Sequence, residues 1–212
     1  MTVTWLPDVY SEYVASEELL GVRHPHNPLV HQILWGDLSV ESELVERYEA
    51  LHPIWTSWAA KHQARYTLPL ATALSGAPRW STLELSAGTG QGTGLVGSVA
   101  SCMVCTEPSR SMAAELKDRT RAMVVRAGSP LPFVDASFQR VVGLNAVMCA
   151  SEVRRVLAPG GVAVVCYSFA EQTPVFISPE ELSRALGMPA VCQRVGFGLS
   201  IVLSNSPEGV LG

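Results

Sequence analysis

The spacing of hydrophobic residues changes character near residue 80. Before this point the apolar positions recur at helical intervals, and most of the aromatic residues lie there. Beyond it, short apolar runs alternate with helical segments, which predicts crossover connections and a mostly parallel sheet covered by helices on both faces. We therefore expect an α/β fold in which a helical cap or lid over residues 1–75 and an α/β domain over residues 76–212 form one compact unit.

Seven strands are predicted in the second part of the chain. The last two are joined only by Gly196-Phe197-Gly198, a link that permits an antiparallel hairpin but no crossover. In the cap, the proline-containing residues 23–28 end a first helix, Ser39 is the expected N-cap of the next, and a further helical pattern runs from about Ile54 to Leu74. The predicted strands are Thr82–Ser86, Cys102–Thr106, Ala122–Arg126, Arg140–Leu144, Gly161–Tyr167, Ala190–Val195 and Ser200–Leu203.

Composition narrows the class of protein. The chain has 212 residues, of which 48% are hydrophobic and 16% charged, so a large core is expected. A net charge of −4 without a basic tract argues against nucleic acid as the main partner. No apolar run has the length of a membrane span, and the first residues lack a signal pattern. These observations predict a cytoplasmic protein without a membrane partner.

The five cysteines favour the same compartment. Their number is odd and most lie in apolar runs, as is typical of buried free thiols in a reducing environment. Cys102 and Cys105 have the C-x-x-C spacing of some metal and redox sites, but neither a second pair nor a histidine cluster accompanies them. On one strand they would also point to opposite faces. We therefore expect no metal.

The most informative segment is residues 82–93, which read TLELSAGTGQGT. A buried strand ends there in a loop whose glycines, Gly88, Gly90 and Gly92, alternate, so the spacing is not the G-x-G-x-x-G of dinucleotide sites. Glycines allow a tight turn close to a ligand, and Glu107, after the next strand, can accept hydrogen bonds from both hydroxyls of a bare ribose. The alternatives are a glycine-rich turn without a cofactor and, for Glu107, an exposed or helix-capping carboxylate.

Two later motifs give this loop a family context. Residues 131–138 read LPFVDASF before the predicted fourth strand, and residues 152–161 read EVRRVLAPGG before the fifth. With the glycine loop and Glu107, these motifs resemble, in the same order over residues 82–167, the S-adenosylmethionine-dependent small-molecule methyltransferases of the Rossmann-like class I fold. The C-terminal hairpin extends the resemblance to about residue 204. Residues 45–75 resemble the lead-in helix of that family, with Tyr48-Glu49 in the place of its usual Tyr-Asp.

The resemblance implies a seven-stranded, mostly parallel Rossmann-like sheet with a C-terminal antiparallel hairpin and an N-terminal helical cap. It implies S-adenosylmethionine as the cofactor, with Glu107 on the ribose diol, Pro108 and Met112 near the adenine, and Asn145 near the donor methyl. Gly128 and Ser129, with Leu131, would border the other side of the adenine. Met112 could instead only pack the helix core, and Asn145 could be a capping residue. The methionine and ribose part of the cofactor would be lined by Glu84, Ser86, Ala87, Gly88 and Gly90.

The chain departs from the family pattern in three places. Ser86 replaces the usual first glycine of the loop and adds a side chain near the ligand. Ala127 stands where many members have an aspartate that meets the adenine amino group, so this contact would be lost or made by backbone or by Ser129, at a cost of about 1 kcal/mol. Residues 143–151 are much shorter than the usual connection, so the helix after the fourth strand would be deleted or reduced to one turn, leaving a more open substrate pocket.

A general base is needed only if the acceptor must lose a proton. All five histidines, His24, His26, His31, His52 and His62, precede the sheet, in the region expected to cap the site. His52, next to Tyr48-Glu49, is the first candidate for such a base, and Tyr48 resembles the lid tyrosine of the family. Each histidine could instead be a surface or packing residue. The N-terminal aromatic residues suggest an apolar acceptor, or they pack the cap onto the sheet.

The sequence therefore favours an enzyme that methylates oxygen, nitrogen or carbon of a small molecule, with bacterial specialised-metabolite biosynthesis as the expected context. One alternative is an enzyme of the same fold that uses bound S-adenosylmethionine for a cyclisation or another non-methylating reaction. A further alternative is a non-catalytic binding subunit, against which the retained Glu84, Gly88, Gly90 and Glu107 argue. Neither the acceptor nor the oligomeric state can be read from the residues, and a homodimer is compatible with them.

Overall fold

A central sheet of eight strands organises the structure, which is a computed structural model. It describes residues 1–10 and 27–205, with the backbone alone for residues 27, 60 and 62–64. The predicted first helix, most of the proline-containing break after it, and His24 and His26 lie outside the described residues. The strands are β1 (Val3–Trp5), β2 (Trp80–Leu85), β3 (Ala100–Thr106), β4 (Met123–Val125), β5 (Phe138–Leu144), β6 (Leu157–Tyr167), β7 (Ala190–Val195) and β8 (Gly198–Ser204).

The strand order is β1-β7-β8-β6-β5-β2-β3-β4. All neighbouring strands are parallel except β8, which runs antiparallel to both β6 and β7. The predicted mostly parallel sheet and the C-terminal hairpin, here β7 and β8, are therefore confirmed. The chain leaves the edge strand β4 and returns to the sheet at β5, beside β2, so β2 lies at the point where the order reverses. In such sheets, ligands bind at the carboxyl ends of the strands near this point.

The predicted number of strands was wrong, because β1 adds an eighth. It pairs in parallel with β7, with Val3 opposite Ala190, and the Leu6 amide donates to the Cys192 carbonyl at 2.8 Å. A strand of only three residues has too few positions to show an alternation of polar and apolar residues. Residues 3–5 thus belong to the sheet, although the helical cap was predicted to span residues 1–75.

The cap contains one long helix where two patterns were predicted. This helix, α2, runs without a break for 26 residues and includes Pro53. Ser39 is not its N-cap: Asp37 accepts a hydrogen bond from the Ser39 amide at 3.1 Å, and Ser39 lies in the short 3-10 turn that leads into α2. The helices are α1 (Asn27–Leu34), α2 (Glu41–Tyr66), α3 (Leu68–Ala73), α4 (Thr93–Ser98), α5 (Arg110–Arg119), α6 (Ala150–Val156) and α7 (Pro179–Leu186).

Helices cover both faces of the sheet, as the alternation of elements predicted. On one face, α1, α6 and α7 pack over residues such as Leu83, Val141 and Val165. On the other, α3 and α4 contribute Leu70 and Val96 to a cluster with strand residues of β5 and β6. Burial from both sides explains why these strands are near-continuous hydrophobic runs. Within the described residues, no helix combines the length and the hydropathy that a membrane crossing requires.

The connection after β5 is short, as predicted. Residues 145–149 contain no helix, and α6 begins directly afterwards at Ala150. The carboxyl end of β5 is therefore covered by a short irregular segment and by the cap, with no additional helix between them. This arrangement leaves room at the edge of the sheet where the strand order reverses.

Candidate functional site

A cavity of about 580 Å³ lies at the carboxyl ends of the central strands. Its walls are the loop after β2, the segments that follow β3, β4, β5 and β6, and one face of α2. The volume falls within the range of roughly 300–1,000 Å³ that is usual for small-molecule sites. The sheet edge forms the floor of this cavity and the cap helix closes its side.

Glu107 is a buried carboxylate of the cavity that the backbone holds in place. It follows β3 and is 4% exposed, and its two carboxylate oxygens accept hydrogen bonds from the Gly88 amide at 2.8 Å and the Ser109 amide at 2.9 Å. Burial raises its pKa to about 7, an effect that the two backbone amides oppose. Each oxygen retains a further lone pair, so the carboxylate can accept additional hydrogen bonds from a ligand.

Glu84, at the end of β2, is also buried. It accepts hydrogen bonds from the Thr93 hydroxyl at 2.8 Å and from the Cys105 thiol at 3.4 Å, and burial raises its pKa to about 7. A Cβ atom on Gly92 would lie 2.9 Å from Leu70 Cδ2 and 3.3 Å from a carboxylate oxygen of Glu84, so the space between this carboxylate and α3 is tight. Cys105 is buried whereas Cys102 is exposed, which places the two thiols on opposite faces of β3.

The predicted loop residues do not all reach the cavity. Ser86, Ala87 and Gly88 line it, whereas Gly90 does not. A Cβ atom on Gly90, whose φ is +92°, would lie 2.9 Å from Leu116 Cδ1, so this glycine allows close packing against α5. Ser86 adopts a φ of +47°, in the left-handed region that a glycine would favour, and its hydroxyl donates to the Val147 carbonyl at 3.1 Å. The unusual serine therefore joins the loop to the short connection after β5.

Asn145 joins the ends of two strands. Its side-chain carbonyl accepts from the Ser168 amide and its side-chain amide donates to the Ser168 hydroxyl, both at 2.8 Å. The same hydroxyl donates to the Tyr66 carbonyl at 2.6 Å. Hydrogen bonds from Asn145 and Ser168 also lower the pKa of Tyr66, but burial is the larger effect and raises that pKa to about 12. This network ties the end of α2 to the carboxyl ends of β5 and β6.

Glu41, the first residue of α2, is a cavity residue that the sequence did not reveal. Its carboxylate accepts a hydrogen bond from the Ser129 amide at 2.9 Å, and a Cβ atom on Gly128 would overlap it. Glu41 lines the same cavity as Ala127, Pro108 and Met112. Burial raises the pKa of Glu41. In the sequence it reads only as an acidic residue in the first turn of a helix, which is a common stabilising feature.

The two candidate catalytic residues are placed differently. Tyr48 lines the cavity, and burial, together with the charges of Tyr66 and Glu107, raises its pKa. His52 is not among the lining residues; its Nε2 atom lies 2.9 Å from a carboxylate oxygen of Glu115, which connects α2 to α5. Elsewhere, His31 pairs with Glu181 at 2.9 Å. The side chain of His62 lies outside the described residues.

Four aromatic residues form one wall of the cavity, and we call them the aromatic cluster: Trp55, Trp58, Tyr66 and Phe169. Trp55 and Trp58 stack with ring centroids 5.5 Å apart, and Tyr66 meets both edge-on at 5.8 and 6.0 Å. Phe169 lies 6.2 Å from Trp58 and 6.4 Å from Tyr66. Such contacts hold large rings in fixed positions.

The charged residues of the cavity are acidic. Of the described residues that line it, Glu41, Glu84, Glu107 and Glu152 are carboxylates, and none is lysine, arginine or histidine. Glu152 pairs with Arg155 at 2.8 Å and accepts from the Leu131 amide at 2.7 Å, so its charge is largely balanced. No group of three or more potential metal ligands occurs among the side chains that the structure describes.

Comparison with known families shows what the central part of the chain is similar to. Residues 83–165 match the family model described as a methyltransferase domain. This segment therefore resembles a methyltransferase domain. The match extends from β2 into β6, so it covers the glycine loop, Glu107 and the connection after β5. The resemblance to S-adenosylmethionine-dependent methyltransferases that the motifs predicted is thereby confirmed. No curated protein sequence matches the chain.

Solved structures share the architecture of the methyltransferase domain at low sequence identity. A SAM-dependent methyltransferase of Thermotoga maritima, described as a possible histamine N-methyltransferase, is 19% identical, with a TM-score of 0.60 over 75% of this chain and 98% of its own. The DhpI protein in complex with SAH is 20% identical, with a TM-score of 0.61 over 77% and 95%. At these identities the likeness concerns the fold alone.

A third structure covers more of the chain. The 1,6-didemethyltoxoflavin-N1-methyltransferase of Burkholderia thailandensis, with bound 1,6-didemethyltoxoflavin and S-adenosylhomocysteine, is 19% identical to it. The TM-score is 0.57, over 91% of this chain and 93% of that protein. The methyltransferase fold together with part of the N-terminal helical region is therefore shared between the two proteins.

Proposed function

We propose that this protein transfers a methyl group from S-adenosylmethionine to a small-molecule acceptor. The observation that carries the proposal is Glu107, a buried carboxylate anchored by two backbone amides beside the glycine loop and facing a cavity that also contains an aromatic wall. The anchored carboxylate suits a ribose diol, and the remaining space suits a second ligand. One cavity can thus accommodate both cofactor and acceptor.

The residues present fit the cofactor. Glu107 would accept from the ribose hydroxyls, Pro108 and Met112 would border the adenine, and Gly128 and Ser129 would lie on its other side. Asn145 would lie near the methionine moiety. Gly90 would support the loop without contacting the cofactor. The methionine and ribose part would be lined by Glu84, Ser86, Ala87 and Gly88, all of which border the cavity.

Glu41 can provide the carboxylate that Ala127 lacks on the adenine side of the proposed cofactor site. A carboxylate at that position can accept a hydrogen bond from an adenine amino group, and the Glu41 carboxylate lies against the neighbouring Ser129 amide. We propose that the cap thereby contributes to cofactor recognition. The prediction that backbone or Ser129 would replace the missing aspartate is then only part of the answer, because a side chain from α2 is also available.

The protein groups would act chiefly by orientation and by exclusion of water. Bound S-adenosylmethionine supplies a methyl group on a positively charged sulfur. Holding an acceptor in line with that methyl group can account for several kcal/mol of the barrier. Burial raises the pKa values of Tyr48 and Tyr66 above the usual value, which further favours the protonated form, so their hydroxyls are available as hydrogen-bond donors. His52 contacts Glu115 and does not line the cavity, so we propose no role for it as the base.

Oxygen, nitrogen and carbon acceptors are all compatible with this site. Two of the structural relatives are named for N-methylation, which makes nitrogen the first acceptor atom to test. The relatives that act on small molecules also support the proposal of a role in bacterial specialised-metabolite biosynthesis, with a cytoplasmic location. A homodimer stays a prediction.

One experiment tests the proposed function. The pure protein is incubated with S-adenosylmethionine and a metabolite extract, and S-adenosylhomocysteine is followed by mass spectrometry. Formation of S-adenosylhomocysteine together with a product heavier by one CH₂ unit is expected. A product of unchanged mass with the donor intact would instead favour a cyclisation or another non-methylating reaction, an alternative suggested by the short connection at residues 145–149. Failure to bind the donor would contradict both and leave the non-catalytic binding subunit.

A further inference from the structure

We propose that the aromatic cluster is the acceptor subsite and that it selects a flat nitrogen base, uncharged when it reacts and cationic once methylated. The proposal rests on the proposed function, because it assumes that the methyl donor occupies the glycine-loop end of the same cavity. It goes further by naming the chemical class of the acceptor. Three features support it: the geometry of the rings, the charge of the lining and the ability of a nitrogen acceptor to react without a base.

The rings face the cavity from two separate elements. Trp55, Trp58 and Tyr66 lie three and eleven residues apart on α2, a spacing that puts them on one face of the helix. Phe169 comes from the segment that follows β6. Their interplanar angles range from 28° to 83°, so the cluster presents both ring faces and ring edges. A planar ligand can stack on such a wall, and a positive charge is attracted to the ring faces.

The cluster is connected to the place where the methyl group is expected. Tyr66 shares hydrogen bonds with Asn145 and Ser168, at the carboxyl ends of β5 and β6. Ser86, in the glycine loop, is bound to Val147 in the same connection. A ligand against the rings would therefore have its reacting atom near the boundary between the aromatic cluster and the glycine loop.

The lining charges exclude an anionic acceptor. Glu84, Glu107 and Glu41 face the cavity, and no lysine, arginine or histidine stands among its described lining residues. A carboxylate or phosphate on the acceptor would enter without a counter-charge, which is strongly unfavourable in a buried site. An uncharged base meets no such penalty, and a cationic product is stabilised by both the carboxylates and the rings.

Nitrogen is favoured because it can react without a base. The acceptor nitrogen uses its lone pair to form the new N–C bond while the C–S bond breaks and its electron pair stays on sulfur. The donor sulfur becomes neutral and the methylated nitrogen carries the positive charge, so no proton has to be removed before the attack. A phenol or an enol would need a base. Of the described carboxylates that line the cavity, Glu41, Glu84 and Glu107 are assigned to the cofactor under the proposed function, and Glu152 pairs with Arg155.

Probe binding tests this selectivity without knowledge of the natural acceptor. Isoquinoline, the N-methylisoquinolinium cation and the 2-naphthoate anion share one ring shape and differ in charge. Each is titrated by calorimetry into the full-length protein saturated with S-adenosylhomocysteine. We expect the uncharged base and the cation to bind about tenfold or more tightly than the anion. Equal or tighter binding of 2-naphthoate would overturn the proposal.

Variants of the aromatic cluster show whether binding of the cation depends on an aromatic ring or only on the volume of the side chain. Trp58→Leu should weaken binding of the cation by about fivefold or more, while Trp58→Phe should retain most of it. Trp35→Leu is the matched control, because Trp35 is 54% exposed and is not among the cavity-lining residues. Unchanged affinity in both Trp58→Leu and Trp55→Leu would contradict the assignment of the cluster. Thermal unfolding of each variant confirms that it is folded.

A separate titration tests the proposed function independently of the acceptor subsite. S-adenosylhomocysteine is titrated first, alone, and its failure to bind would contradict the proposed function. The same three probes titrated into the unloaded protein would still decide whether the aromatic cluster selects bases over anions. If S-adenosylhomocysteine binds and the probes show no charge preference, the proposed function stands and the acceptor assignment fails.

Discussion

The two ends of the cavity are built in different ways. At the glycine-loop end, the ligand would meet backbone amides, glycines and one anchored carboxylate, all held by the carboxyl ends of β2 and β3. At the aromatic-cluster end, it would meet large side chains contributed by α2 and by the segment after β6. The first end depends on where the backbone runs, so it tolerates few substitutions. The second depends on side chains, which can change while the fold stays the same.

The largest effect should come from the anchored carboxylate. Glu107→Gln keeps the size of the side chain but leaves one of the two backbone amides without an acceptor, and it removes the charge beside the ribose site. We expect the affinity for S-adenosylhomocysteine to fall by about 3 kcal/mol, roughly a hundredfold, in a calorimetric titration. Glu46→Gln, at an exposed position of α2, is the control and should bind normally. A loss below threefold would mean that Glu107 does not hold the ribose.

The free energy of unfolding of alanine variants measures how tightly the glycine loop is packed. In Gly92→Ala the new methyl group would press against Leu70 and the Glu84 carboxylate, which should lower the free energy of unfolding by about 1–3 kcal/mol. Gly94, two residues later, lies in α4, and a Cβ atom added there would have nothing within 4 Å. Gly94→Ala should therefore stabilise the protein by about 0.5–1 kcal/mol. Urea unfolding of both variants checks the contrast; equal midpoints would show that the loop can relax.

The affinity for S-adenosylmethionine, which carries a cationic sulfur, should depend on pH differently from the affinity for S-adenosylhomocysteine, whose sulfur is neutral. Burial raises the pKa values of Glu84 and Glu107 to about 7, so these carboxyls become negative as the pH rises through that value. The affinity for S-adenosylmethionine, whose sulfur is cationic, should increase several-fold more than that for S-adenosylhomocysteine between about pH 5.5 and 8. Parallel titrations at each pH measure the difference. Glu84→Gln, which retains an acceptor for Thr93, should reduce it, and an identical pH response of the two ligands would contradict the assignment.

The same two carboxyls predict how stability depends on pH. Their pKa values are raised in the folded protein, so the folded state holds protons that the unfolded chain has already released. Their contribution to stability is complete below the unfolded pKa of 4.5 and is lost as the pH rises through about 7. Urea unfolding of the wild type and of Glu84→Gln should show a smaller decrease between these pH values in the variant. A parallel decrease in both proteins would contradict the raised pKa of Glu84.

The smallest effect should come from His52. Its removal breaks a partly exposed contact with Glu115 between α2 and α5, so His52→Ala should cost less than about 1 kcal/mol of stability. Turnover, once an acceptor is known, should keep its pH profile. Thr56→Val removes the other hydrogen bond to the same Glu115 oxygen and should behave alike. A loss of turnover with a changed pH profile in His52→Ala alone would restore His52 as a base.

Contacts between residues that are close in the sequence could be predicted better than contacts between distant residues. The glycine loop and Glu107 lie within about 25 residues and are brought together by two neighbouring parallel strands, so their meeting follows from the strand pattern. Glu41 and Ser129 are separated by 88 residues, and their contact depends on how α2 lies across the sheet. Likewise, the closeness of His52 to Tyr48 in the sequence does not determine which face of the 26-residue helix it occupies, and the structure places it beside Glu115 and not among the lining residues.

The elements of the fold also divide into those that the sequence pattern predicted and those that it did not. Alternating strands and helices predicted the parallel sheet and its hairpin, because buried strands and covering helices leave strong local patterns. The strand β1 left none, since its three residues are recognised as a strand only through their partner β7. The continuous helix α2 was divided in two because Pro53 and the mixed face of the helix weaken its pattern.

That late partner has a consequence for how the chain is made. Val3 lies opposite Ala190 in the sheet, and the two residues are 187 positions apart in the chain. The short strand β1 therefore has no partner until β7 has been synthesised, and its backbone groups stay open to other strands for that time. In a cotranslational folding experiment, pairing of β1 should be absent from every nascent chain that ends before Ala190.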